Sequence, residues 1–135
     1  MQYRISAGVI IEHEGRILQV NHVRPGRYDF WVCPGGGVKG SESLEQAAAR
    51  EAHEETGLEV QVHDLIYIEE LVSPECRYIK FWFSGSSASG TFDISHPEAK
   101  AEFVTRVAWR ERGELTDENV FPTVCLLYTS DAADE

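Results

Sequence analysis

Glu51, Glu54 and Glu55 are the residues whose types and spacing point first to chemistry. They lie in residues 34–58, PGGGVKGSESLEQAAAREAHEETGL. At i, i+3 and i+4 of a helix, three carboxylates project from one narrow face. Like charges so placed destabilise a bare helix by about a few tenths of a kcal/mol per pair. A hard divalent cation such as Mg2+, which takes oxygen ligands, would offset that repulsion. Taken alone, three glutamates describe a solvated acidic face; the surrounding residues argue for more. Ser43 with Gln46 three residues on forms a capping-box start, and Ala47, Ala48, Ala49 and Ala52 favour helix. Gly57 stands where a left-handed residue commonly closes a helix, so the spacing predicts a helix over residues 43–56 behind a glycine-rich loop.

Gly36, Glu42, Arg50, Glu51, Glu54, Glu55, Gly57 and Leu58 fall in the pattern G-x5-E-x7-R-E-x2-E-E-x-G-hydrophobic. That pattern resembles the Nudix box, the signature of hydrolases that cleave nucleoside diphosphates linked to another group. Ala52 replaces a commonly larger aliphatic residue, and Lys39 and Ser41 stand where many relatives carry Glu and Gly. None of these departures removes a carboxylate. The resemblance implies a Mg2+- or Mn2+-dependent enzyme with Glu51 and Glu55 as main metal ligands and Glu54 as ligand or general base. It further implies a backbone carbonyl ligand from Gly36, and Glu42 and Arg50 as a pair tying loop to helix, Arg50 orienting the carboxylates. A further acid from outside the box often completes such a site; Glu98 and Glu102 are the candidates, Glu102 preferred.

Stepping from these residues to the elements that carry them, residues 4–11 (RISAGVII) and 16–20 (RILQV) read as a β-hairpin. Residues 21–28, with Pro25 and Gly26, read as a loop, and residues 30–33 (FWVC) as a short strand into the glycines. Beyond the helix, residues 58–62, 65–72, 77–84 and 103–109 read as strands. Residues 85–90 (GSSASG) read as a flexible loop, 96–102 as a loop or strand start, and 113–120 as a short helix. Strands around one well-defined helix predict an α+β fold. The Nudix resemblance implies the same: an α/β/α sandwich with a mixed sheet and one loop-helix-loop catalytic motif.

The 135 residues suit one domain, expected over residues 1–124. No run approaches the ~20 apolar residues that span a bilayer, and the N-terminus carries no small-residue cleavage site, so no membrane partner and no secretory leader are expected. Three scattered cysteines suit neither a disulfide frame nor a zinc site, which fits a cytoplasmic location. A net charge of −11 opposes general affinity for nucleic acid backbones. An acidic protein still accepts a phosphorylated small molecule where a bound cation reverses the local sign. Residues 125–135 (CLLYTSDAADE) resemble translated sequencing-adapter sequence and are expected to be non-native, leaving the domain shortened at its C-terminus.

Substrate choice is the least legible property. Arg24, Arg27 and Trp82 are candidates for substrate contact, each with a plainer reading as solvated loop or core. Pro74, 16 residues beyond Leu58, stands where ADP-ribose-cleaving relatives tend to carry proline. The expectation is a small-molecule nucleotide substrate, a (d)NTP or an ADP-ribose-like compound, cleaved to a nucleoside monophosphate and a phosphorylated remainder. The alternatives are a nucleotide-sensing regulatory domain with little turnover, and an inactive fragment. Homodimers are common in the family, although no residue marks an interface.

Overall fold

The computed structural model describes residues 1–115 and 120–122. The N-terminal hairpin forms as read but is longer: β1 spans Gln2–His13 and β2 Arg16–Arg24. Its two-residue turn places Glu14 at φ 52 and Gly15 at φ 77, the paired positive φ that suits the strands' right-handed twist. The expected loop over residues 21–28 is a correction. β2 runs on to Arg24, turns through Pro25, Gly26 and Arg27, and returns as β3, Tyr28–Val32. Proline and glycine mark a tight turn there, with the Arg27 N–H donating to the Arg24 carbonyl at 2.9 Å.

β4 (Gly35–Gly37) leads into α1, Leu44–Thr56. α1 carries both halves of the capping box at Ser43 and Gln46, and Gly57 closes it at φ 83. A side chain is excluded at Gly57 twice over, by that φ and by the Asp93 backbone nitrogen, 2.7 Å from where a Cβ would stand.

The two strands expected after the helix are one, β5 (Glu59–Val72), whose pairing with β6 slips between Val62 and Leu65. β6 (Cys76–Ser89) also takes in most of the expected GSSASG loop, a second correction. Small polar side chains carry no strand pattern, but β5 supplies backbone partners as far as Ser89, and ladder bonds need only backbone. Residues 96–102 are a third correction. Pro97–Ala101 form a short helix, α2, with Pro97 in its first turn and the His96 ring accepting the Glu98 N–H. β7 is Val104–Glu111, and Arg112–Glu114 form one 3-10 turn within the expected C-terminal helix. Leu115, read as part of that helix, is extended, and Val120, its expected last residue, belongs instead to strand β8 (Val120–Phe121); residues 116–119 and the suspected adapter tail lie outside the described residues.

The strands hydrogen-bond in the order β5-β6-β1-β2-β3-β8, with β4 added on β1 and β7 on β2. β1 runs parallel to β6 along ten paired positions but meets β2 only at Glu12 and His13. Two arms therefore part from the hairpin. The site lies where they part. Residues 7–11 of β1 are buried on both faces, which explains the continuous apolar run there. Val9 and Ile11 pack with Ala52 of α1 and Leu58, while Ile10 packs with Trp31 and Trp82. The alanines of α1, fully buried at Ala47, Ala48 and Ala52, let the helix approach the sheet closely. Among the described residues, no helix is long and apolar enough to cross a membrane.

Candidate active site

The three clustered carboxylates of α1 face inward. Glu51, Glu54 and Glu55 are 3%, 9% and 1% exposed, which rules out a solvated acidic face. Carboxylate oxygens of Glu51, Glu55 and Glu102 lie within 4.8 Å of one another. Glu102, from beyond α2, is the outside acid brought to the box; Glu98 is held by Lys39 at 4.0 Å. Glu54 stands outside the trio, with Oε2 accepting from Arg50 Nη1 at 3.2 Å.

Arg50 organises the helix side. Its Nε and Nη2 donate to the two oxygens of Glu42 at 3.0 and 2.7 Å, a bidentate clasp. Nη2 also reaches the Gly37 carbonyl and Nη1 the Glu51 Oε1, at 3.0 and 2.9 Å. One guanidinium thus ties the glycine loop, Glu42, Glu51 and Glu54 together. The clasp holds the Glu42 carboxyl down at about 2.

Glu55 is fully enclosed and held from two sides. The Gly35 N–H donates to its Oε1 at 2.8 Å, and His22 Nε2 lies 3.5 Å from its Oε2. His22 Nδ1 bonds the Glu102 carbonyl at 2.7 Å, and its ring stacks on Phe30 at 5.2 Å. His22 therefore bridges the box helix to the outside acid. Nothing in the local sequence announced it: its backbone partner lies 80 residues away, and its strand read as a loop.

Burial raises Glu51 to about 7, with the Glu102 charge adding and Arg50 opposing. Burial raises Glu55 to about 8, against the contact with His22. Burial also pushes Glu102 up. For His22 burial works downward, but the contacts with Glu55 and the Glu102 carbonyl outweigh it and the net shift is up.

This donor set suits a hard divalent cation. The donors are carboxylate oxygens that repel one another, and the buried Glu51 Oε2 has no hydrogen-bond partner. A Cβ on Gly36 would stand 2.5 Å from the Glu51 carboxyl carbon, so a side chain there would push the Glu51 carboxylate from its place. The positions of Glu51, Glu55 and Glu102 fit the expected ligand set.

A cavity of about 380 Å³ opens beside the acids between the two sheet arms. His22, Gly36 and Glu102 bound one end, while Tyr28, Phe30 and Phe103 supply aromatic rings and Lys80 a cation. Neither Arg24 nor Arg27 lines it; Arg24 instead sits over the Phe103 ring, 5.2 Å from its centroid. Trp82 does line it but is 3% exposed, packed among Ile10 and Trp31, so the expected stacking surface is core. Sequence reading missed Lys80, His22 and the aromatic residues, whose strand positions carry no motif.

A mixed sheet flanked by helices, with three converging carboxylates beside a cleft that Glu102 lines, defines the class of protein. Residues 2–124 match the family described as NUDIX domain, and the chain belongs to that family. An RNA pyrophosphohydrolase from Teredinibacter turnerae is 38% identical over 69 residues, 50% of this chain and 39% of that protein. Phosphatase NudJ from Escherichia coli (strain K12) is 30% identical over 81 residues, 59% of this chain and 52% of that protein. The chain thus spans about half or less of the length of the curated relatives it matches. A MutT NUDIX hydrolase from Burkholderia pseudomallei superposes with a TM-score of 0.78 at 23% identity, over 96% of this chain and 98% of that one. An ADP-ribose pyrophosphatase from Streptococcus suis does so at 0.72 and 18%, over 98% and 92%. At these identities the superpositions establish the shared α/β/α sandwich.

Proposed function

We propose that the chain is a divalent-metal-dependent pyrophosphohydrolase acting on a nucleoside diphosphate linked to a second group. The products are a nucleoside monophosphate and a phosphorylated remainder. The observation that carries this reading is the convergence of Glu51, Glu55 and Glu102, the last of which also lines the cavity. These three residues would hold Mg2+ or Mn2+, with the Gly36 carbonyl beside them. When bound, the metal neutralises substrate charge and lowers the pKa of an attacking water.

The chain's own residues do the rest. Arg50 keeps Glu51 and Glu54 aimed, and the Gly35 N–H keeps Glu55 aimed. Glu54, adjacent to the trio but outside it, is assigned the role of proton acceptor from the attacking water. Lys80, the lysine of the cleft lining, supplies positive charge to the phosphate carrying the second group.

The substrate class follows from chemistry rather than from the relatives' names. A net charge of −11 disfavours a long polyanion, which leaves a small nucleotide, either a (d)NTP or an ADP-ribose-like compound. The sensor alternative finds no support in the carboxylate set, because a domain that only binds has no need of every acid.

The test is phosphate-coupled turnover on (d)NTPs, ADP-ribose, NADH, dinucleoside polyphosphates, nucleotide sugars and a 5′-triphosphorylated RNA oligonucleotide. Each is run with Mg2+ and with Mn2+, beside a Glu55→Gln control. Turnover of one class that vanishes in the control is the expected result. Preference for the RNA would overturn the charge argument, and no turnover by folded protein would favour the sensor.

A further inference from the structure

We propose that Phe103 is the platform on which the base of the substrate stacks, and so a specificity-determining residue of the cleft. The inference rests on reading the cleft as a nucleotide site.

Phe103 is the first residue past the cap of α2, the position at which helices commonly end in a left-handed glycine. It adopts that conformation, with φ 62. A bulky side chain at such a φ is an outlier, retained where the surroundings demand it. Two carbonyls at this junction are held from β2: the Val23 N–H donates to Phe103 at 3.0 Å, and His22 bonds Glu102. The left-handed turn is what lets Glu102 reach the acids while β7 departs beside β2. Glycine would make the same turn without strain, so the turn explains the backbone but not the ring.

Packing does not explain the ring either, since Phe103 is 41% exposed. Its surroundings are those of a prepared surface. The Arg24 guanidinium sits 5.2 Å from the ring centroid, and Tyr28 meets it edge-on at 6.4 Å and 84°. Phe103 and Tyr28 line the cavity and Arg24 does not. The cation covers one face of the ring, and the opposite face is the one available to a base. A planar base stacked there lies one residue along the chain from Glu102, so base and diphosphate fall on adjacent parts of one cleft. Arg24, a candidate for direct substrate contact in the sequence, becomes a positioning residue acting through Phe103.

The test uses the wild-type protein with Phe103→Leu, Phe103→Gly and Phe103→Trp. KM and kcat are measured on the best nucleotide of the panel, and melting temperature is recorded alongside. Loss of base stacking raises KM by about tenfold in the Leu and Gly variants, with kcat little changed. The Trp variant keeps the wild-type KM. Phe103→Gly melts at or above the wild-type temperature, because it relieves the strain. Unchanged KM in both the Leu and Gly variants would overturn the inference while leaving the proposed hydrolase intact. So would a loss of several degrees in Phe103→Gly, which would make the ring a packing element. If the wild type turns over nothing, the hydrolase reading fails by itself. Calorimetric titration with AMP and Mg2+ then carries the test: weaker binding to Phe103→Leu supports the platform, and equal or absent binding rejects it.

Discussion

The site is built from two regions that obey local rules to very different degrees. α1 presents Glu51, Glu54 and Glu55 from a helix with a complete capping box and a left-handed glycine stop. The α2–β7 junction presents Glu102 from a five-residue helix that ends in a left-handed phenylalanine. The first region has its ends set by its own sequence, through the caps at Ser43 and Gly57. The second depends on β2, through His22 and Val23, for its conformation. A rigid donor pair is thus completed by an acid delivered through tertiary contacts.

That difference is tested most strongly by pH, because the acids of both regions meet at one point. Glu51 stands at about 7 and Glu55 at about 8, both above the ordinary carboxylate range, and Glu102 and His22 are raised as well. In each case the folded state holds its proton more tightly than the unfolded chain does. The associated stability is therefore complete below the unfolded value and lost as pH rises through the folded one. Metal-free protein should melt several degrees lower at pH 8 than at pH 5. Saturating Mg2+ should flatten or reverse that slope, since it needs the carboxylates ionised. Glu42, held near 2, acts with the opposite sign and only below about pH 4.5. Melting curves at both pH values, with Mg2+ and with EDTA, decide it; a metal-free protein that is more stable at pH 8 would mean that the acids are not jointly buried in solution.

Two substitutions separate the regions. Arg50→Ala frees Glu42, Glu51 and Glu54 together and should weaken Mg2+ binding or activity by about 10–100-fold. His22→Ala removes the bridge between Glu55 and Glu102 and should fall at the lower end, about tenfold. Mn2+ titration followed by electron paramagnetic resonance reads both without turnover. A larger loss in His22→Ala than in Arg50→Ala would reverse the order argued here and make the junction the dominant half of the site.

The same contrast sets how much was legible in the sequence. The box helix was readable to within one residue, because Ser43, Gln46 and Gly57 act on backbone groups within a turn of themselves. The hairpin was readable from its two apolar, β-branched runs and the short glycine-containing turn between them, though Pro25 and Gly26 concealed how far its strands run. Glu102 was reachable only as one of two nearby acids. His22, Lys80 and Phe103 were not reachable, because the residues that give them meaning come from other strands. Pro97 and His96 did mark the start of α2, a signal overlooked in a segment read as loop. The β6 extension through Ser89 had no apolar side-chain pattern to mark it, since its ladder to β5 is carried by backbone pairing.

The smallest effects concern the two ends of α1 and compare its caps with the Phe103 turn. Gly57→Ala meets both φ 83 and the Asp93 nitrogen, and should cost about 1–3 kcal/mol. Ser43→Ala removes only the bond from the Gln46 N–H at 3.1 Å, and should cost about 1 kcal/mol. Denaturant midpoints at a constant slope measure both. Phe103→Gly is expected to move the other way although the backbone angle is similar. At Gly57 the left-handed residue abuts packed backbone, whereas at Phe103 the side chain faces an open cleft. Equal destabilisation at both positions would mean that Phe103 is held by packing, and the junction would then follow the same local logic as the helix.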